Sequence, residues 1–102
     1  MLTIEDARLY LGIDYEDPVT DANIRRAMAT AEKVLLGAVG DDLEQYLPDD
    51  PRSKELQLVY LEDLYSQRGV SAKVSGATRR LVHTMELQLK LDLRMAREAA
   101  AE

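Results

Sequence analysis

Apolar residues recur at the three- and four-residue spacing of amphipathic helices in four segments of the chain. The first predicted helix covers about Ile4–Leu11, because Thr3 is placed to cap it and Gly12 to end it. The second predicted helix covers about Asp21–Ala38, with Thr20 as its N-cap. Its apolar stripe indicates one buried face, made of Ile24, Ala27, Met28, Ala31, Val34, Leu35 and Ala38.

A long acidic connection over Asp41–Asp50 separates the second predicted helix from the third. The third helix is predicted from Pro51 to about Gln67, since Asp50 can act as its N-cap and proline suits the first helical position. Three residues of the connection are expected to anchor it on the core: Leu43, Tyr46 and Leu47.

The fourth predicted helix covers about Ala77–Ala100, a length of about 36 Å if it is continuous. Its alanine-rich end is expected to fray from about Arg97. The small residues of Gly69–Gly76 predict a loop before it, and such loops often carry contacts. The candidates there are Val70, Lys73 and Val74.

Together these elements predict a single all-α domain over residues 1–102, a small helical bundle of about four helices with a long C-terminal helix.

The third and fourth predicted helices each carry a second apolar stripe beside the one expected to face the core. On the third helix the core stripe is Leu56, Val59, Tyr60 and Leu64, and the second stripe is Leu58, Leu61 and Tyr65. On the fourth helix the core stripe is Leu81, Val82, Met85, Leu89, Leu93 and Ala96, and the second stripe is Leu87, Leu91 and Met95. An exposed leucine forgoes about 1.5–3 kcal/mol of burial, so the second stripes predict a partner, most simply another copy of the chain.

Charge is unevenly distributed along the chain, whose formal net charge is −6. Residues 1–50 hold four Lys/Arg against twelve Asp/Glu, and residues 51–102 hold nine against seven. The basic residues of the fourth helix are Arg79, Arg80, Lys90, Arg94 and Arg97. They could contact phosphates, pair with the acidic first half of a neighbouring subunit, or form a solvated face without a partner. The acidic net charge favours pairing, with Arg94 and Arg97 as candidate interface residues.

No residue pattern for catalysis, metal binding or a cofactor is found in the sequence. The chain has no cysteine, and its one histidine, His83, has no ligand cluster around it. A calcium loop starting at Asp14 fails, because Val19 and Arg25 stand where glycine and glutamate are needed. We therefore expect a binding protein rather than an enzyme. The absence of a secretory signal or membrane-length apolar run leads us to expect a cytoplasmic protein.

Three stretches of the chain resemble a known family. They are the opening LTIEDARLYLGID, the run IRRAMATAEKVLLGAVG and the segment LVYLEDLYSQRG. The first ends in a Tyr-Leu-x-x-Asp turn (Tyr10, Leu11, Asp14), and the third carries Leu-Tyr-x-x-Arg (Leu64, Tyr65, Arg68). In order and spacing they are similar to the head–tail connector (adaptor) proteins of tailed bacteriophages, also labelled phage DNA-packaging proteins. The resemblance covers most of residues 2–70.

The resemblance implies a structural virion assembly protein with no enzymatic activity. Such proteins form a ring of about a dozen copies beneath the portal, either alone or only on the portal. The ring joins head to tail, extends the DNA channel and receives tail-completion proteins, while DNA passes without specific binding. The implied location is the virion, and the host cytoplasm during assembly.

An alternative from a different class is a small regulatory helical-bundle protein that binds a protein partner or DNA. A DNA binder of this kind needs a basic recognition helix and a positive net charge, and only the fourth helix approaches the first condition. Strong salt-dependent binding to duplex DNA would favour this alternative. A plain dimer without higher assembly would favour a regulatory protein.

Overall fold

The computed structural model describes residues 2–66 and 76–101, and α-helix is the only regular secondary structure among these residues. The described residues form five helices: α1 (Ile4–Leu11), α2 (Pro18–Val39), α3 (Leu43–Tyr46), α4 (Pro51–Ser66) and α5 (Gly76–Ala101). The all-α prediction and the long C-terminal helix are confirmed. The additional helix, α3, is a single turn in the acidic connection.

The first helix has the ends that its sequence predicts. The Asp6 backbone N–H donates to Thr3 Oγ1 over 3.1 Å, and the Thr3 backbone N–H donates back to Asp6 Oδ2 over 3.3 Å. This reciprocal capping box satisfies two backbone donors that the helix leaves free. Gly12 closes the helix with a left-handed φ of 73°, a conformation that costs glycine little.

The start of α2 was predicted wrongly, because its N-cap is Asp17 and not Thr20. The Asp17 carboxylate accepts hydrogen bonds from the Thr20 backbone N–H at 2.9 Å and from its hydroxyl at 2.8 Å. Pro18 occupies the first helical position, where its fixed φ suits the helix and its missing donor is no loss. Aspartate is also the stronger cap, so the helix begins one turn earlier.

The acidic connection is anchored as expected. Leu43 is fully buried, and Tyr46 and Leu47 pack against the same core cluster. The predicted cap of α4 is also present, because Asp50 Oδ1 accepts from the Arg52 backbone N–H over 2.9 Å. The connection is therefore held at both ends and leads directly from α2 into α4.

The core consists of two clusters that α2 and α4 join. At one end, the cluster contains Ile4, Ala7, Ile24, Ala31 and Leu61. At the other end, the cluster contains Leu35, Val39, Leu43, Leu56, Leu89 and Leu93. Two residues predicted on buried faces are instead on the surface, since Val34 is 45% and Leu81 60% exposed. Helix α1 thus lies at one end of α2, and α3 and α5 lie at the other.

In the structure α5 continues to Ala101, past Arg97, the position from which fraying was predicted. Arg97 Nε donates to Asp42 Oδ2 over 2.6 Å, which ties the last turns of α5 to the start of α3. The alanines that follow have the highest helix propensity of any residue. The anchor and this composition both favour a helical end.

The fold should lose stability as the pH falls below about 4. Hydrogen bonds from Arg52 lower the pKa of Asp50, and those from Arg97 lower the pKa of Asp42. Thr3 and Thr20 similarly lower the pKa values of Asp6 and Asp17. A carboxylate with a depressed folded pKa stabilises the fold above its unfolded pKa, and this contribution disappears as the folded pKa is crossed downward.

Melting temperatures at pH 7 and pH 3 test this expectation. The wild type should melt lower at pH 3, and Asp50→Asn, which keeps a cap acceptor without the charge, should show a smaller difference. Asp63→Asn, at an exposed position of the same helix, is the control and should behave as the wild type. Equal melting temperatures at the two pH values would contradict the assignment.

Candidate protein-interaction surfaces

The second stripe of the third predicted helix, now α4, is not a free surface, and this prediction was wrong. Leu61 is fully buried in the cluster with Ile4 and Ile24, and Leu58 and Tyr65 pack partly buried against that cluster. The reason is that α4 contacts α1, α2 and α5 in the same chain. These neighbours cover Leu61 completely and Leu58 and Tyr65 in part.

The second stripe of α5, in contrast, lies on the surface as predicted. Leu87 is 49%, Leu91 58% and Met95 66% exposed, whereas Leu89 and Leu93 on the opposite face are fully buried. The apolar residues of α5 are therefore divided between a core face and an outer face. Contact of the outer face with a partner stays a prediction.

Part of the outer stripe lies in a shallow groove between α5 and the last turn of α2. We call this surface the basic groove; it is lined by Val39, Leu87, Lys90, Leu91, Arg94 and Arg97. Because successive residues of an α-helix are rotated by about 100°, Lys90 and Arg94 lie on one side of Leu87 and Leu91. The groove thus joins an apolar strip to an adjacent basic strip on the same helix face.

Arg94 and Arg97, the two arginines predicted to contact a neighbouring subunit, differ in how firmly they are held within their own chain. Arg97 donates from Nε and Nη2 to the Asp42 carboxylate of its own chain, so its predicted pairing with a neighbouring subunit is corrected. The Arg94 side chain is 73% exposed, and its contact is with Glu98 one turn later at 3.3 Å. Exposed pairs of this type contribute little, so Arg94 can change partner at small cost.

A second group of exposed apolar side chains lies at the other end of α2, and the sequence analysis missed it. Leu9 is 84%, Tyr15 56% and Val19 70% exposed around the turn between α1 and α2. Asp14 and Glu16 in the same turn are also exposed. We call these five residues the acidic tip. The signal available in the sequence was the concentration of acidic residues around Tyr15 in the short turn between α1 and α2.

The acidic tip is held in place by an ion pair. Arg8 of α1 donates to both carboxylate oxygens of Asp21 in α2, at 3.1 Å from Nε and 2.6 Å from Nη2. Both side chains are largely buried, and the pair raises the pKa of Arg8. Since the bidentate geometry fixes the end of α1 beside the start of α2, the tip is a defined surface.

The remaining site predictions find no further support. The loop candidates Val70, Lys73 and Val74 lie outside the described residues. His83 is exposed on α5. Within residues 2–66 and 76–101, no group of potential metal ligands comes together, and no helix is both long and apolar enough to cross a membrane.

The described residues thus define a class: a small all-α protein with two exposed apolar surfaces of opposite charge. Comparisons with known protein families, with curated proteins and with solved structures find no match to this chain. The similarity to phage connector proteins stays a prediction that depends on the three sequence stretches.

Proposed function

We propose that the chain is a structural virion assembly protein that forms a ring beneath the portal of a tailed bacteriophage. In this role it joins head to tail and extends the DNA channel. The observation that carries the proposal is the uncovered outer stripe of α5, where Leu87, Leu91 and Met95 lie exposed beside the basic residues. An apolar surface of this kind, rimmed by charge, is typical of a protein–protein interface.

The charge of the chain supports a channel rather than a DNA-binding role. With a net charge of −6, a ring of these subunits repels the phosphate backbone at long range, so DNA can move through it without being held. The portal protein and tail-completion proteins are the further partners of such a ring. The protein would then be found in the virion and, before assembly, in the host cytoplasm.

Native mass measured across a concentration series tests the proposal, followed by negative-stain imaging of any large species. We expect closed rings of about a dozen subunits, alone or after addition of purified portal rings from the source phage. A monomer or dimer that portal rings fail to recruit would contradict the proposal. A dimer of that kind would favour the regulatory helical-bundle alternative.

A further inference from the structure

The basic groove and the acidic tip lie too far apart to meet within one chain. Val19 is in the first turn of α2, and Val39, which lines the groove, is its last residue. Twenty residues of continuous α-helix separate them by about 30 Å. Any contact between these two surfaces must therefore join two copies of the chain.

The charges of the two surfaces are complementary. Lys90 and Arg94 are exposed at the groove, and Asp14 and Glu16 are exposed at the tip. The side chain of Glu16 is 85% exposed, and its nearest basic partner, Arg8, is 4.0 Å away and already bound to Asp21. Arg94 and Glu16 are thus both free to form a closer pair with an opposite charge.

The same charges disfavour a symmetric pairing of like surfaces. Two α5 helices packed groove to groove would bring Lys90 and Arg94 of one copy towards the same residues of the other. Two tips packed together would do the same with Asp14 and Glu16. Like charges brought together while water is excluded are strongly unfavourable. The arrangement that pairs opposite charges is groove against tip.

Both surfaces also offer exposed apolar side chains. The groove offers Leu87 and Leu91, and the tip offers Leu9, Tyr15 and Val19, all at least 49% exposed. Burial of these side chains against each other removes apolar surface from water on both copies. The charged residues then lie at the rim, as in most stable interfaces.

We infer that the basic groove of one copy binds the acidic tip of the next, so that subunits join head to tail. This inference deepens the proposed ring, and it rests on the proposed self-assembly. A contact between two different patches leaves one groove and one tip free in every dimer. Addition of further copies gives a closed ring if the rotation between subunits closes, and an open filament if it does not.

Two single substitutions test the contact, one in each surface. Each introduces a charge that the opposite surface should repel. Leu91→Glu puts an acid in the groove, and Val19→Lys puts a base at the tip. The matched controls are Leu81→Glu on α5, where the side chain is 60% exposed, and Val34→Lys on α2, where it is 45% exposed. Both test variants should weaken self-association at least about tenfold by sedimentation velocity, and both controls should stay within about threefold of the wild type.

Mixing the two test variants distinguishes the head-to-tail contact from any symmetric one. The Leu91→Glu chain keeps an intact tip, and the Val19→Lys chain keeps an intact groove. A mixture should therefore associate at least to a heterodimer, although neither variant associates alone. A mixture that stays monomeric contradicts the inference, provided that circular dichroism shows both variants folded.

The outcomes separate this inference from the proposed function. Wild-type rings that neither substitution disturbs overturn the groove–tip contact and leave the ring proposal standing. Wild-type filaments or short oligomers that both substitutions abolish support the contact and count against the ring. A wild type that remains monomeric from micromolar to millimolar concentration overturns the contact, and portal recruitment then decides the proposed function.

Discussion

Leu93→Ala should lower the free energy of unfolding by about 2–5 kcal/mol, whereas Leu91→Ala, two residues away, should change it by less than about 0.5 kcal/mol. Leu93 is fully buried in the cluster that joins α5 to α2, α3 and α4, and its truncation leaves a cavity. Leu91 is 58% exposed on the outer face of the same helix. The two substitutions therefore compare the same change, leucine to alanine, on the buried face and on the exposed face of α5.

Urea denaturation followed by circular dichroism measures both changes. The midpoint should shift strongly for Leu93→Ala and remain near the wild-type value for Leu91→Ala, with similar slopes for all three proteins. The experiment should be done at a concentration where the wild type is monomeric, since self-association would stabilise the outer face as well. Equal losses for the two substitutions would show that α5 is not oriented as described.

Gly40→Ala should be comparably destabilising, by about 2–5 kcal/mol, while Gly37→Ala should stabilise the protein by about 0.5–1 kcal/mol. Gly40 has a φ of 150° and a ψ of 140°, a conformation that only glycine adopts readily. A Cβ atom there would lie 2.7 Å from Leu93 Cδ2 and 2.5 Å from Arg97 Nη2. Backbone strain at this φ and crowding of the added Cβ atom should therefore both destabilise the Gly40→Ala variant.

Gly37 is the matched control because it lies inside α2, and a Cβ atom there meets nothing within 4 Å. Alanine has a higher helix propensity than glycine by about 1 kcal/mol, so this substitution should raise the melting temperature. The two variants should shift thermal unfolding in opposite directions. A tolerated Gly40→Ala would contradict the strain expected at a φ of 150° and the crowding expected against Leu93.

The helix boundaries that the sequence predicts best are those set by short-range signals. Thr3 and Gly12 bound α1, and Asp50 and Pro51 start α4, because caps and proline act within one turn of the residue they affect. The error at α2 has the same basis. Asp17 followed by Pro18 is the same start signal as Asp50 followed by Pro51, and choosing Thr20 overlooked it.

Periodicity also predicts which residues share a helix face, but it does not predict whether another element covers that face. The second stripes of α4 and α5 are equivalent in the sequence, yet Leu61 is fully buried and Leu91 is largely exposed. The difference arises because α4 lies between other helices, whereas the outer face of α5 does not. Coverage depends on contacts between segments far apart in the chain.

The sequence by itself therefore determined the helical class, most helix boundaries and the two-sided character of α5. Local hydrogen bonds and the 3.6-residue period of the helix are sufficient for these properties. The tertiary structure alone decided that Arg97 binds Asp42, 55 residues away, and that the acidic tip is exposed at the opposite end of α2 from the basic groove. Both results follow from how the helices pack, because packing brings distant residues together and selects the surfaces that remain open to a partner.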